Sequence, residues 1–246
     1  MVGDGVNDVL AMKESDCSVA MASGSDITRN ISHIVLINSN FSAMPHAVAE
    51  GRIAINNIQR SSSLFLVKTI YSCLLSLLFL FIPAPYPFIP IQMTLISAIT
   101  IGIPSFILAL EPNRERIKGN LFKNIISKAL PAALTVISSL ILCVAVYFPF
   151  HLSYEKYSTL AVIITGFIGT VLLYKISVPL NRLRKSLLWF VAISFIVGIF
   201  RFSDLFVLEF SPVVILLSIA LILISIIIYD YLSKVNLEKI FKISKK

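Results

Sequence analysis

The chain alternates short apolar and polar units up to about residue 50, and from about residue 61 to residue 229 it becomes a succession of long apolar runs broken by charged intervals. The opening order is apolar Met1-Val2, the turn-rich Gly3-Asp4-Gly5-Val6-Asn7-Asp8, helix-like Val9 to Glu14, then apolar Cys17 to Ala22. It predicts strand, loop, helix, strand. Ser25 offers an N-cap for a short helix through Asn30, and His33 to Ile37 reads as a further buried strand. Residues 1–42 are therefore expected to be the tail of an α/β sheet. They are too few to close a doubly wound sheet around a core of their own.

From Ala43 to Ile82 Gly51 is the only turn signal, and Pro45 sits where a first helical turn tolerates it. One long helix is predicted. At 1.5 Å per residue it would span on the order of 55 Å, against roughly 30 Å for the hydrocarbon core of a bilayer. Residues 43–60 are thus assigned to a stalk in water and 61–82 to a first span. Pro83, Pro85, Pro87 and Pro90 force a turn. Apolar runs free of charge then predict spans at about 89–110, 129–149, 157–174, 186–203 and 210–229, with a basic tail at 231–246. The expected fold class is a mainly α, polytopic membrane protein: a partial α/β N-terminal remnant followed by a six-helix transmembrane bundle.

Composition agrees. The 246 residues are 57% hydrophobic and 14% charged, outside the range of soluble domains. The net charge of +8 could suggest nucleic acid, but its distribution argues against that partner. Arg114, Arg116, Lys118, Lys123, Lys128, Lys175, Arg182, Arg184, Lys185 and five lysines of the tail fall on alternate connections. The opposite connections hold only Lys156 and Arg201. By the positive-inside rule both termini are cytoplasmic, and membrane lipid, not nucleic acid, is the surrounding partner. The polar, acidic N-terminus has no secretory signal pattern. Cys17, Cys73 and Cys143 lie far apart and have neither disulfide nor zinc spacing; they read as small buried apolar residues.

Candidate chemistry sits in the first loop. Asp4 and Asp8 flank Gly5 after an apolar strand, where open α/β sheets bind ligands. A carboxylate there suits Mg²⁺, while Gly, Asn and Asp are equally the residues of an ordinary surface turn. The full string Gly3-Asp4-Gly5-Val6-Asn7-Asp8 resembles the hinge motif of P-type ATPases of the haloacid-dehalogenase superfamily. The likeness continues through Ala11-Met12-Lys13, Ala20 to Asp26, Gly51-Arg52 and Asn56-Asn57-Ile58-Gln59-Arg60.

The resemblance is to the C-terminal portion of a cation-transporting pump, closest to the bacterial calcium-type branch: the end of a phosphorylation domain plus transmembrane helices five to ten. It implies an ion-translocating ATP hydrolase that couples Mg²⁺-dependent formation and hydrolysis of an aspartyl phosphate to cation transport, calcium first, in the plasma membrane. Asp4 would ligate Mg²⁺, Asn7 and Asp8 would position the phosphorylated aspartate, and Gly3 and Gly5 would let the backbone approach the phosphate. Val2 stands where the family usually has Thr. The Asp-Lys-Thr-Gly-Thr segment, the nucleotide domain that would take ATP, and the Thr-Gly-Glu loop are absent from these residues. The expectation is a truncated or frameshifted frame, inactive alone. The alternatives are a non-catalytic membrane protein, or one half of a split pump whose N-terminal portion is a separate chain.

For the transported cation, Thr94, Ser97 and Thr100 recur every three positions, and Pro104 cannot donate to the Thr100 carbonyl. Such a stripe lines a polar cavity or packs helix on helix; both readings are open. By the resemblance, Ser97, Thr100, Thr69 and Ser72 fall at ion-ligand positions, and Ile101 replaces the acidic residue of calcium pumps. Lys68 resembles in its place the lysine that acts as an internal cation in gastric-type proton pumps. Its other reading is a side chain snorkelling to the headgroups.

Overall fold

The computed structural model describes residues 1–117 and 119–234. Lys118 and the tail from 235 onwards, which carry five of the charges in the positive-inside argument, lie outside the described residues. The chain divides into two compact units, Met1–Ile53 and a second from Ala54 on.

The first unit is a parallel three-stranded sheet in the order β1 (Val2–Gly3), β2 (Val19–Met21), β3 (Ile34–Leu36). Val2 pairs with Val19, and Ala20 with Val35. Parallel neighbours need a crossover, and here each crossover holds a short helix: α1 (Val9–Glu14) and α2 (Asp26–Ile31). The expected cap is in place, since the Ser25 hydroxyl accepts the Thr28 N–H at 3.1 Å. Arg29 pairs with Asp26 and donates to the Ala22 carbonyl, tying α2 to the end of β2. Met12, Val19 and Ala20 are buried at the centre.

The second unit is helical. Its elements are α3 (Met44–Leu78, which starts in the first unit), α4 (Pro90–Ser97), a π-helical segment (Ala98–Gly102), α5 (Ile103–Ala109), α6 (Leu121–Tyr147), α7 (Tyr154–Ser177), α8 (Arg182–Arg201) and α9 (Pro212–Lys234). Among the described residues, six helical stretches are long and apolar enough to cross a bilayer, with α4, the π segment and α5 forming one of them. The protein is a multi-pass membrane protein.

Helix α6 begins at Leu121, ahead of its apolar run. The Asn120 side chain accepts the N–H groups of Phe122 and Lys123, so a capped turn carries two lysines into what reads in the sequence as loop. Small residues let the helices close on one another. Ala129, Ala132 and Ala133 of α6 are fully buried, and Ser139 and Ser225 share a hydroxyl hydrogen bond of 2.7 Å between α6 and α9.

Only one cysteine meets the expectation of burial: Cys143 is enclosed, whereas Cys17 and Cys73 are exposed. The buried stripe of α3 is Asn57, Arg60, Leu64, Val67, Tyr71 and Leu75, at helical spacing. Cys73 falls two residues from Tyr71 and from Leu75, on the other side of the helix.

Candidate functional site

The Asp4 loop is shaped by its own acidic residues. Asp4 follows directly on β1, Val6–Asp8 form one 3₁₀ turn, and α1 follows. The Asp8 carboxylate turns back and accepts the backbone N–H groups of Asp4 at 3.1 Å and Gly5 at 3.2 Å. From the other side, the Asp4 carbonyl accepts the Ser25 N–H at 2.8 Å and the Thr28 hydroxyl at 3.3 Å. The backbone at Asp4 is thus held from both directions. Its carboxylate is exposed and has no partner among the described residues, and the same holds for the Asn7 amide.

This division of labour suits Mg²⁺. That ion takes one or two carboxylates and completes its shell with water or phosphate oxygens. One free carboxylate on a fixed strand end meets the requirement. The second carboxylate, on Asp8, is occupied in holding the loop. Gly3 sits beneath them, where a Cβ would lie 2.7 Å from the Asp8 Cβ and 2.9 Å from the Met12 Sδ. A Cβ at Gly5 would meet nothing nearer than 3.8 Å, which leaves that face open to an approaching group. No group of three or more His, Cys, Asp or Glu side chains capable of holding a metal occurs among the described residues.

In the bundle the polar stripe does not share one environment. Thr94, Ser97 and Thr100 each donate to the carbonyl four residues earlier, at 3.3, 2.6 and 2.7 Å. Thr94 is exposed, Ser97 half-buried and Thr100 buried. The π segment lies between Ser97 and Pro104, where irregular backbone was expected, and the Ile103 N–H reaches back to the Ala98 carbonyl. Thr69 is exposed and bonds to the Phe65 carbonyl at 3.2 Å, whereas the Ser72 hydroxyl is buried without a partner among the described residues.

Thr100 lines a small cavity among the described residues, of about 20 Å³ and so room for a single water. Its other lining residues include Leu64, Val67 and Tyr71 of α3, Ile101, and Thr165 and Gly169 of α7. The Tyr71 and Thr165 hydroxyls are buried and lack partners among the described residues. The sequence reading missed both. The one available signal was the small-residue spacing Gly166, Gly169 around Thr165: a Cβ at Gly169 would touch Thr100 at 3.0 Å, so the glycine admits α7 to the π segment. Lys68 is half-buried and has no ion-pair or hydrogen-bond partner among the described residues.

No family model matches the chain. It is 48% identical over 146 residues to the calcium-transporting ATPase CtpE of Mycolicibacterium smegmatis, a stretch covering 55% of this chain and 18% of that protein. It is 37% identical over 196 residues to a probable cation-transporting ATPase, exp7, of Streptococcus pneumoniae, covering 76% of this chain and 25% of the relative. With a calcium-transporting ATPase of Bacillus subtilis it shares 33% identity over 112 residues, 45% of this chain and 13% of the other. The chain therefore spans a quarter or less of the length of these curated relatives.

Proposed function

The chain belongs to the P-type cation-transporting ATPases, and on that premise we propose that it supplies the Mg²⁺ carboxylate and most of the membrane path of an ATP-driven cation pump. Calcium is the proposed cargo, because two of the relatives named above are calcium transporters. The phosphorylated aspartate and the ATP site come from polypeptide outside these 246 residues, on a longer chain or a separate one.

The observation that carries this reading is the free Asp4 carboxylate at the end of β1, held in place by Asp8, Ser25 and Thr28. Mg²⁺ at Asp4 would neutralise charge on the phosphoryl oxygens. Asp8 fixes the loop, and Asn7 is free to meet the neighbouring phosphorylated residue. Gly5 leaves the backbone open to it. Displacement of this loop would reach the bundle along α3, the helix that carries Thr69 and Ser72 and faces Thr100.

The cation path is proposed to use Thr69, Ser72, Ser97 and Thr100, with further oxygen ligands from outside the chain, since no carboxylate lies on α3, α4 or α5 beyond residue 60. Lys68, without a partner among the described residues, is the proposed internal cation of the return step. The plasma membrane is the proposed location. Both termini are proposed to be cytoplasmic, a reading supported by the basic connections.

The test joins or mixes the chain with a polypeptide carrying the phosphorylatable aspartate, in proteoliposomes, and measures ATP-driven uptake of radiolabelled calcium. Uptake is expected, and Asp4→Asn should abolish the Mg²⁺-dependent hydrolysis that drives it. Failure to move calcium or any other cation in either arrangement would sink the reading. Unaltered coupling in Lys68→Ala would remove the internal-cation role alone.

A further inference from the structure

A buried carboxylate that the proposed reaction does not use sits just past the end of α5. Glu111 is 6% exposed and is gripped by two arginines that are themselves 8% and 7% exposed. Arg60 of α3 donates to its Oε2 at 2.7 Å. Arg184 of α8 places its Nε 2.9 Å from both carboxylate oxygens, and the Asn181 amide donates to Oε1 at 2.5 Å. Arg184 Nη1 is also aimed: it reaches the carbonyls of Ser177 at 3.2 Å and Pro179 at 2.7 Å. Burial pushes the Glu111 carboxyl up, but the hydrogen bonds of Arg184 and Asn181 and the charges of Arg184 and Arg60 outweigh it and hold the group below the ordinary carboxylate range.

The cluster continues a seam along α3. Asn57 donates to the Ala109 carbonyl at 2.7 Å and Ser61 to the Ser105 carbonyl at 3.4 Å. Asn56 donates to the carbonyls of Asn113 and Glu115 at 3.0 and 2.9 Å. These contacts pin the last turns of α5 and the chain beyond it to α3. The same buried stripe of α3 then runs on through Leu64, Val67 and Tyr71, which line the cavity beside Thr100. α5 is seven residues long and starts where the π segment stops, so whatever fixes the end of α5 also fixes the rotation of the π segment.

We propose that Glu111 is a positioning residue, an ionic latch that locks α3, α5 and α8 in one register and thereby holds the π segment with Thr100 against α3. A paired charge is a costly way to fill buried space, and apolar side chains of the same volume often stabilise as much. Its geometric gain is direction. A carboxylate forked by Arg184 and capped by Arg60 accepts one arrangement of three helices. The latch is independent of what the bundle transports, so its failure would leave the pump reading untouched.

Hydrogen exchange of the chain in nanodiscs tests it. In Glu111→Gln, exchange should rise at least about tenfold in Ile103–Ala109 and in the first turns of α8, with α6 and α9 unchanged. The triple variant Arg60→Gln, Glu111→Gln, Arg184→Gln leaves no buried charge unpaired and should keep its thermal stability while showing the same local acceleration. Arg184→Lys keeps the charge and loses the fork, and should loosen the start of α8 alone. Wild-type exchange in α5 and α8 of the triple variant would overturn the latch, as would acceleration spread evenly over all six spans. Wild-type exchange at the start of α8 in Arg184→Lys would do the same.

Discussion

The two glycines around Asp4 look equivalent in the string Gly3-Asp4-Gly5 and are physically different. A side chain at Gly3 would collide with Asp8, the residue that pins the loop, at 2.7 Å, and with Met12, fully buried in the core of the first unit. Gly5 has ordinary extended dihedrals, φ −103° and ψ 162°, and a Cβ there would make only ordinary contacts, none nearer than 3.8 Å. Gly3→Ala is therefore expected to destabilise the first unit by about 1–3 kcal/mol through overpacking. Gly5→Ala should stay within about 0.5 kcal/mol of the parent. Urea titration of the full chain, followed by hydrogen exchange in residues 1–36, separates the two. Equal effects would show that the loop is looser than its hydrogen bonds indicate. The motif and its strand-loop-helix setting were legible in the sequence, because Gly, Asn and Asp after an apolar run are a local signal. The different duties of Asp4 and Asp8 were not, because they depend on which carboxylate folds back onto the backbone.

Among the elements, legibility followed the range of the interaction that decides each feature. Apolar runs long enough to cross a bilayer mark the six helices, and Pro104 marks the break before α5. Which face of a helix meets which neighbour is not written in a run that is apolar all round. Thr94, Ser97 and Thr100 consequently read alike in the sequence, nothing in it marks Tyr71 and Thr165, and the expected burial of Cys73 fails because that residue lies opposite the buried stripe of α3. Close approach of α7 to its neighbours is now attributable to two glycines. A Cβ at Gly166 would overlap the Phe195 ring of α8 at 2.0 Å, and one at Gly169 would press on Thr100 at 3.0 Å. Gly166→Ala is expected to lower stability by about 1–3 kcal/mol, or to expel Phe195 from its place. Gly169→Ala, meeting a side chain that can yield by a few tenths of an ångström, should be milder. Thermal unfolding in detergent, with tryptophan emission from Trp189 on α8 as the probe, ranks them; the reverse order would mean that the α7–α8 contact is softer than the contact with the π segment.

At the scale of the whole bundle, among the described residues two carboxylates outside the spans make stability depend on pH, and burial tells them apart. Glu111 lies at one end. Glu209 lies at the other, where it accepts the Ser153 hydroxyl at 2.9 Å and pairs with Lys156 at 3.1 Å. Burial raises Glu111, but Arg184, Asn181 and Arg60 bring it below its ordinary value, while the hydrogen bonds of Ser153 and Lys156 lower Glu209. A carboxyl whose pKa is lower folded than unfolded binds its proton more readily in the unfolded chain. Its stabilisation is complete above the unfolded value and disappears as pH falls through the folded one. The thermal midpoint should therefore fall on acidification from roughly pH 5 towards pH 3. The exposed Glu209 pair is screened by salt and the enclosed Glu111 cluster is not, because the Debye length shrinks to about 3 Å at 1 M only where ions can enter. In 1 M salt the acid transition of the wild-type chain should persist, and in Glu111→Gln, which has nothing there to titrate, it should flatten. A transition that salt abolishes in the wild type would place the pH dependence at the Lys156–Glu209 end and leave Glu111 electrostatically silent.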